Sequence, residues 1–201
     1  MRFRGRKQRK ELAETIKRGQ ELLASKRRQE TLDFLREAVQ QFSDDPEIRL
    51  LYASILLAFR PEDVAAEAAK AVELGPDDPV ILVRAAYLLL GRGEIEAARS
   101  HAARTKELVT PDFLFYPELL GLEGRLAVLD GDDDLAEERM RVALEREPSG
   151  EMLAFELAKF LADRAREEEA LEVIDDTLNH GKGGAELRRL RSEIVGDGAG
   201  S

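Results

Sequence analysis

His101 and His180 are the only histidines in this chain of 201 residues, and there is no cysteine. Neither histidine stands in a constellation of cysteines or carboxylates at metal-ligand spacing, and without cysteine no zinc-thiolate, iron–sulfur or disulfide chemistry is expected. The stretch "DGDDD" at 130–134 begins like a calcium loop, in which alternating carboxylates converge on one ion. Leu135 then stands where that loop needs a glycine, and Arg141 where it needs a bidentate Glu. An acidic turn opening a helix fits better, because negative charge is favoured at a helix N-terminus. "HGKGG" at 180–184 lacks the spacing and the following Ser/Thr of a phosphate loop. No serine stands in a motif that would supply it a base. The expectation is a chain without an active site, metal or cofactor.

The elements that would carry any other function are helical. The chain is 43% hydrophobic and 36% charged, has no Trp, and is dominated by Ala, Leu, Glu and Arg. All four are good helix formers, and alternating β-branched runs are absent. The longest apolar run, "AAYLLLG" at 85–91, is far below the roughly 20 residues of a membrane span. The basic N-terminus is followed by no apolar segment of the secretory type, and the expected location is cytoplasmic.

One phrase repeats. "AVQQFSDDP" at 38–46 returns as "AVELGPDDP" at 71–79 and, frayed, as "ALEREPSG" at 143–150. Taking its Ala as a ruler, Ala38, Ala71, Thr105, Ala143 and Thr177 follow at spacings of 33, 34, 38 and 34 residues. The four extra residues fall in "DFLFYP" at 112–117, which gathers Phe113, Phe115 and Tyr116. These aromatics either extend the core there or form an exposed anchor for a partner. A period near 34 marks a helix–turn–helix repeat, in which each helix pair buries its apolar face only by stacking on the next.

With its small-residue slots, the pattern resembles the tetratricopeptide repeat family. The small slot of the first (A) helix holds Gly19, Ala53, Ala86, Gly124 and Ala158, and that of the second (B) helix Thr31, Val64, Ala98, Ala136 and Ala170. Small side chains let two helix backbones approach. The family's Trp is missing, with Thr15, Arg49, Leu82, Leu120 and Ala154 in its slot, and Arg18 and Glu123 replace a usual Leu. The resemblance implies an all-α, right-handed α-solenoid of about five repeats, at 12–45, 46–78, 79–112, 117–150 and 151–183. A basic arm at 1–11 precedes them. A capping helix at 184–195 follows, with Leu187, Leu190 and Ile194 on one face, and then a tail at 196–201.

The resemblance also implies a concave groove lined by A helices, and with it a non-enzymatic protein–protein interaction module or assembly scaffold. The groove slots hold Ile16, Gln20 and Leu23 in the first repeat and Leu50, Ser54 and Leu57 in the second. Val83, Tyr87 and Leu90 fill them in the third, Arg125 in the fourth, and Phe155 and Lys159 in the fifth. The expected partner is a protein or peptide segment with apolar side chains. Leu50, Val83, Tyr87 and Leu90 are expected to make most of the contact, and Arg125 and Lys159 to pair with an acidic group. A second subunit or the arm itself filling the groove is the competing expectation.

Residues 1–30 hold eleven Lys/Arg against four Glu, a net of +7, and residues 31–201 hold 20 Lys/Arg against 37 Asp/Glu, a net of −17. The arm cations Arg2, Arg4, Arg6, Lys7, Arg9 and Lys10 give the alternative reading, an adaptor docking on nucleic acid or an anionic membrane surface.

Overall fold

A computed structural model describes residues 6–25, 27–181 and 184–198. Among these residues eleven α-helices account for the architecture: α1 (Arg6–Ala24), α2 (Arg28–Gln41), α3 (Pro46–Leu56), α4 (Val64–Leu74), α5 (Pro79–Gly91), α6 (Ile95–Leu108), α7 (Tyr116–Asp130), α8 (Asp133–Arg146), α9 (Glu151–Ala162), α10 (Glu167–His180) and α11 (Ala185–Gly198). There is no strand among the described residues, and the all-α repeat fold stands. The chain divides after Leu108 into two compact units.

In the first unit α1–α2, α3–α4 and α5–α6 are helix pairs, and the A helices α1, α3 and α5 also pack on one another in order. In the second unit the pairs are α7–α8 and α9–α10, and α11 lies against α9 and α10. Leu187, Leu190 and Ile194 of α11 join Leu157, Leu161, Val173 and Ile174 in one core cluster, so α11 covers the apolar face of the last pair.

The repeated phrase does local work. Asp45 and Asp78 stand at helix N-caps, each followed by a proline at the first helical position. Asp45 accepts from the Ile48 amide at 3.1 Å and Asp78 from that of Val80 at 3.0 Å. Asp132 does the same for Leu135 at 3.1 Å, which gives "DGDDD" its role as a cap. The small slots are all buried, from Gly19 to Ala158 on the A helices and from Thr31 to Ala170 on the B helices.

The departures from the family pattern have physical answers. Arg49, in the Trp slot, donates to the Ser43 carbonyl at 3.0 Å and to Glu67 of α4 at 2.9 Å. The two charges in the Leu slot each pair with their own B helix: Arg18 with Glu30 at 3.5 Å and Glu123 with Arg139 at 3.6 Å.

Three of the A-to-B turns share one hydrogen-bond pattern. Glu94 donates to Leu89 and Gly93 to Leu90; Asp132 to Ala127 and Gly131 to Val128; Arg166 to Leu161 and Ala165 to Ala162. This is the double bond of a Schellman C-cap, which needs a left-handed residue. Gly93 and Gly131 supply it with φ of 80° and 76°, but in the last turn Ala165 holds φ 57°. A Cβ there costs about 1–2 kcal/mol, against about 0.5–1 kcal/mol of extra chain entropy for glycine. Ala165→Gly is therefore expected to stabilise the second unit by about 0.5–1 kcal/mol, read as a higher urea midpoint. An unchanged or lower midpoint would contradict this.

Candidate functional site

The A helices carry the residues that the repeat register assigns to a groove. In the first unit, Ile16 is half-buried and packs against Ala38, Phe42 and Ile48. Leu50, Val83 and Leu90 are only 3%, 1% and 8% exposed. These three, expected to contact a partner, are packed into the core of the chain. The A helices stack on one another, so a slot that faces the groove in register is filled at depth by the neighbouring helix. What remains at the surface is Leu57, 42% exposed, with Phe59 just beyond α3, exposed Gln20, and half-buried Leu23, Ser54 and Tyr87. Ser54 turns its hydroxyl back to the Leu50 carbonyl at 2.8 Å.

A polar relay crosses the same three helices. Gln20 of α1 donates to Glu47 of α3 at 3.3 Å, and Arg84 of α5 donates to the same carboxylate at 3.1 Å. Sequence reading places Gln20 on the groove face but gives no sign that Glu47 would join it to Arg84.

In the second unit, Phe155 is half-buried and packs against the core of α9–α11. Arg125 and Lys159, expected to meet a partner's carboxylate, each hold an acid of the chain itself. Lys159 binds Asp163 at 3.1 Å, and Arg125 binds Glu156 at 3.3 Å. Glu156 is the residue that sequence reading missed. Its side chain is 11% exposed, and its Oε2 has no hydrogen-bond partner. Burial pushes its carboxyl up to about 7, and Arg125 opposes this only in part. A signal was present. The positions just after Ile16, Leu50, Val83, Gly121 and Phe155 hold Lys17, Leu51, Arg84, Leu122 and Glu156, so an acid occupies a slot held by Leu in two repeats.

The B helices of this unit carry an ion network. Arg166 bonds Glu137 at 2.9 Å and Glu169 at 2.7 Å, and Arg141 bonds the same two acids at 2.8 and 3.0 Å. The Arg166 guanidinium holds Glu137 down to about 2.

Of the basic arm, Arg6, Lys7, Arg9 and Lys10 are exposed in the first turns of α1, and Arg2 and Arg4 lie outside the described residues. In "DFLFYP" the rings of Phe113 and Phe115 are half-buried and 5.9 Å apart, while Leu114 is 81% exposed. Arg146 ties this loop to α8 by donating to the Pro111 carbonyl at 2.9 Å and lying over the Tyr116 ring.

His101 is half-buried and its pKa is lowered by that burial, and His180 is exposed with Nδ1 against the Asp176 carbonyl at 2.7 Å. Among the described residues no group of three or more His or carboxylate side chains is placed to hold a metal. No described helix is long and apolar enough to cross a membrane.

The sequence matches no protein-family model and no curated protein. Solved structures do match. The thermophilic TPR protein TTC0263 of Thermus thermophilus superposes over 92% of this chain and 98% of its own, with a TM-score of 0.74 at 21% identity. The chain has the tetratricopeptide-repeat fold. A tetratricopeptide repeat protein of Parabacteroides merdae is similar over 91% of this chain and 70% of its own, with a TM-score of 0.67 at 16% identity. PilW, described as a widely conserved type IV pilus biogenesis factor, is similar over 92% and 86%, with a TM-score of 0.67 at 14% identity. In tetratricopeptide terms α1, α3, α5, α7 and α9 are the A helices, and α11 stands where a further A helix would begin.

Proposed function

We propose that the chain is a non-enzymatic protein–protein interaction module or assembly scaffold, working in the cytoplasm, that takes a partner segment on the A-helix face of its first unit. The observation that carries this reading is the surface left once the core residues are removed from the groove register. Leu57 and Phe59 are exposed, with Leu23 and Tyr87 half-buried at groove slots of the neighbouring A helices. The Gln20–Glu47–Arg84 relay borders them with polar groups. An apolar strip with a polar margin suits an extended or helical segment carrying apolar side chains. Tyr87 supplies a rigid ring with a polar tip, a frequent hot-spot choice.

The test is quantitative affinity purification with the full chain, Leu57→Asp and Tyr87→Ala. Recovery of the natural partner is expected to fall about tenfold or more with each variant while the helical circular dichroism is unchanged. Two folded variants that retain the same partners at parental levels would remove this face as the site.

A further inference from the structure

The second unit has a surface that the groove reading does not use. Between the B helices α8 and α10 lies a cavity of about 300 Å³. Its apolar lining comes from Leu144, Leu157 and Val173, and Glu145, Glu172 and Asp176 also line it. These three acids are exposed, and none makes a side-chain hydrogen bond or ion pair with a described residue. Arg141 also lines the cavity but is already neutralised by Glu137 and Glu169. The cavity therefore joins an apolar floor to a rim of uncompensated negative charge. Its complement is an apolar side chain flanked by cations.

The same chain carries that complement. Residues 1–10 read "MRFRGRKQRK", six Lys/Arg with no acid and one aromatic, Phe3. In α1, Arg6, Lys7 and Arg9 are exposed and have no carboxylate partner among the described residues, and the nearest acid pair is that of Lys10 with Glu14 at 3.7 Å. Phe3 lies three residues before Arg6 in the sequence, a reach of at most about 10 Å. That is enough for Phe3 to enter a cavity while Arg6 stays at its rim. We infer that the α8–α10 cavity receives the basic N-terminal segment of a second copy of this chain. Phe3 fills the apolar floor, and Arg2, Arg4 and Arg6 face Glu145, Glu172 and Asp176.

The donor lies in the first unit and the acceptor in the second, so the contact is heterologous. Each copy therefore offers one arm and one cavity, and copies associate by exchanging arms. The opposite net charges of residues 1–30 and 31–201 attract the basic segment of one copy to the acidic body of another and make the association salt-sensitive.

Sedimentation velocity of the full chain tests this. The weight-average mass is expected to rise with concentration at low salt and to fall back toward the monomer at high salt, about 0.5 M, where exposed charges are screened. Arg2→Glu with Arg4→Glu should weaken association about tenfold or more, and so should Glu172→Lys with Asp176→Lys, at two exposed positions of α10. Mixing the two variants should restore assembly, because each then offers an arm of the sign the other's cavity needs. Phe3→Ala should weaken association with no change in its salt dependence. A chain that stays monomeric at every concentration overturns the inference, as does an association that neither charge reversal alters. Loss in both variants without recovery on mixing also overturns it. So does an arm that binds duplex DNA or phosphatidylserine vesicles while the chain stays monomeric.

Discussion

Glu156→Leu is expected to make the second unit more stable, and more so at pH 8 than at pH 5. Glu156 is a buried acid whose Oε2 has no hydrogen-bond partner, at a position equivalent to Leu51, Leu122 and Leu190. It accepts from Arg125 at 3.3 Å, and desolvation outweighs that attraction, raising the carboxyl from 4.5 to about 7. The folded chain thus holds this proton more tightly than the unfolded chain does. The associated stability is fully present below about pH 4.5 and is lost as pH rises through about 7. The loss amounts to about 3 kcal/mol at pH 8. Leucine removes this cost and fills the slot as Leu51 and Leu122 do. Removing one member of a buried pair can strand the other charge, but the Arg125 side chain is 33% exposed and can turn to water. The expected gain is about 2–3 kcal/mol at pH 8 and clearly smaller at pH 5, measured by urea unfolding at both values. Glu156→Gln should recover part of the gain at pH 8. A variant less stable than the parent at pH 8 would mean that the Arg125 attraction outweighs desolvation.

Gly124→Val should produce the largest loss. A Cβ at Gly124 would stand 2.8 Å from Cγ of Met140 and 3.2 Å from the backbone oxygen of Ala136. The Met140 side chain can swing away, but the Ala136 carbonyl belongs to α8 and moves only if α7 and α8 separate. The branched side chain of valine enlarges the conflict, and the expected cost is about 3 kcal/mol, near the upper end for overpacking. That corresponds to a fall in Tm of roughly 6–12 °C for a chain of this size. Gly124→Ala should cost less, about 1 kcal/mol, since the better helix propensity of alanine offsets part of the clash. Gly91→Ala is the control, because a Cβ there meets nothing within 4 Å. Thermal unfolding by circular dichroism separates these outcomes, and a Gly124→Val chain as stable as the Gly91→Ala control would show that α7 and α8 do not meet as closely as described.

The two predictions act on different parts of the repeat. Gly124 belongs to the small-residue contact that joins A to B within one repeat, and Glu156 to the contact between A helices of successive repeats. The function proposed above depends on the second kind. The depth at which one A helix meets the next decides which groove residues remain available to a partner.

The sequence alone determined what is local or periodic. The spacing near 34 residues, the buried small slots and the capping phrase all act within a few residues or recur at a fixed interval, so they can be read without coordinates. Asp45, Asp78 and Asp132 cap helices because their side chains reach amides two or three residues ahead. Leu187, Leu190 and Ile194 identified the covering face of α11 by their helical spacing. The tertiary structure alone decided depth and pairing. Register puts Leu50 and Leu57 on one face of a repeat, yet one is core and the other exposed, because neighbouring helices bury a face unevenly along its length. Glu156 meets Arg125 across 31 residues, Arg84 meets Glu47 across 37, and Arg18 and Glu123 find partners on their own B helices. Ala165 takes a left-handed conformation with no glycine to announce it, because the turn must match those at Gly93 and Gly131 for α10 to pack on α9. Such pairings depend on how far apart two helix axes stand, and that distance is set jointly by side chains on both helices. A one-dimensional pattern records the face of each helix but not the separation between them.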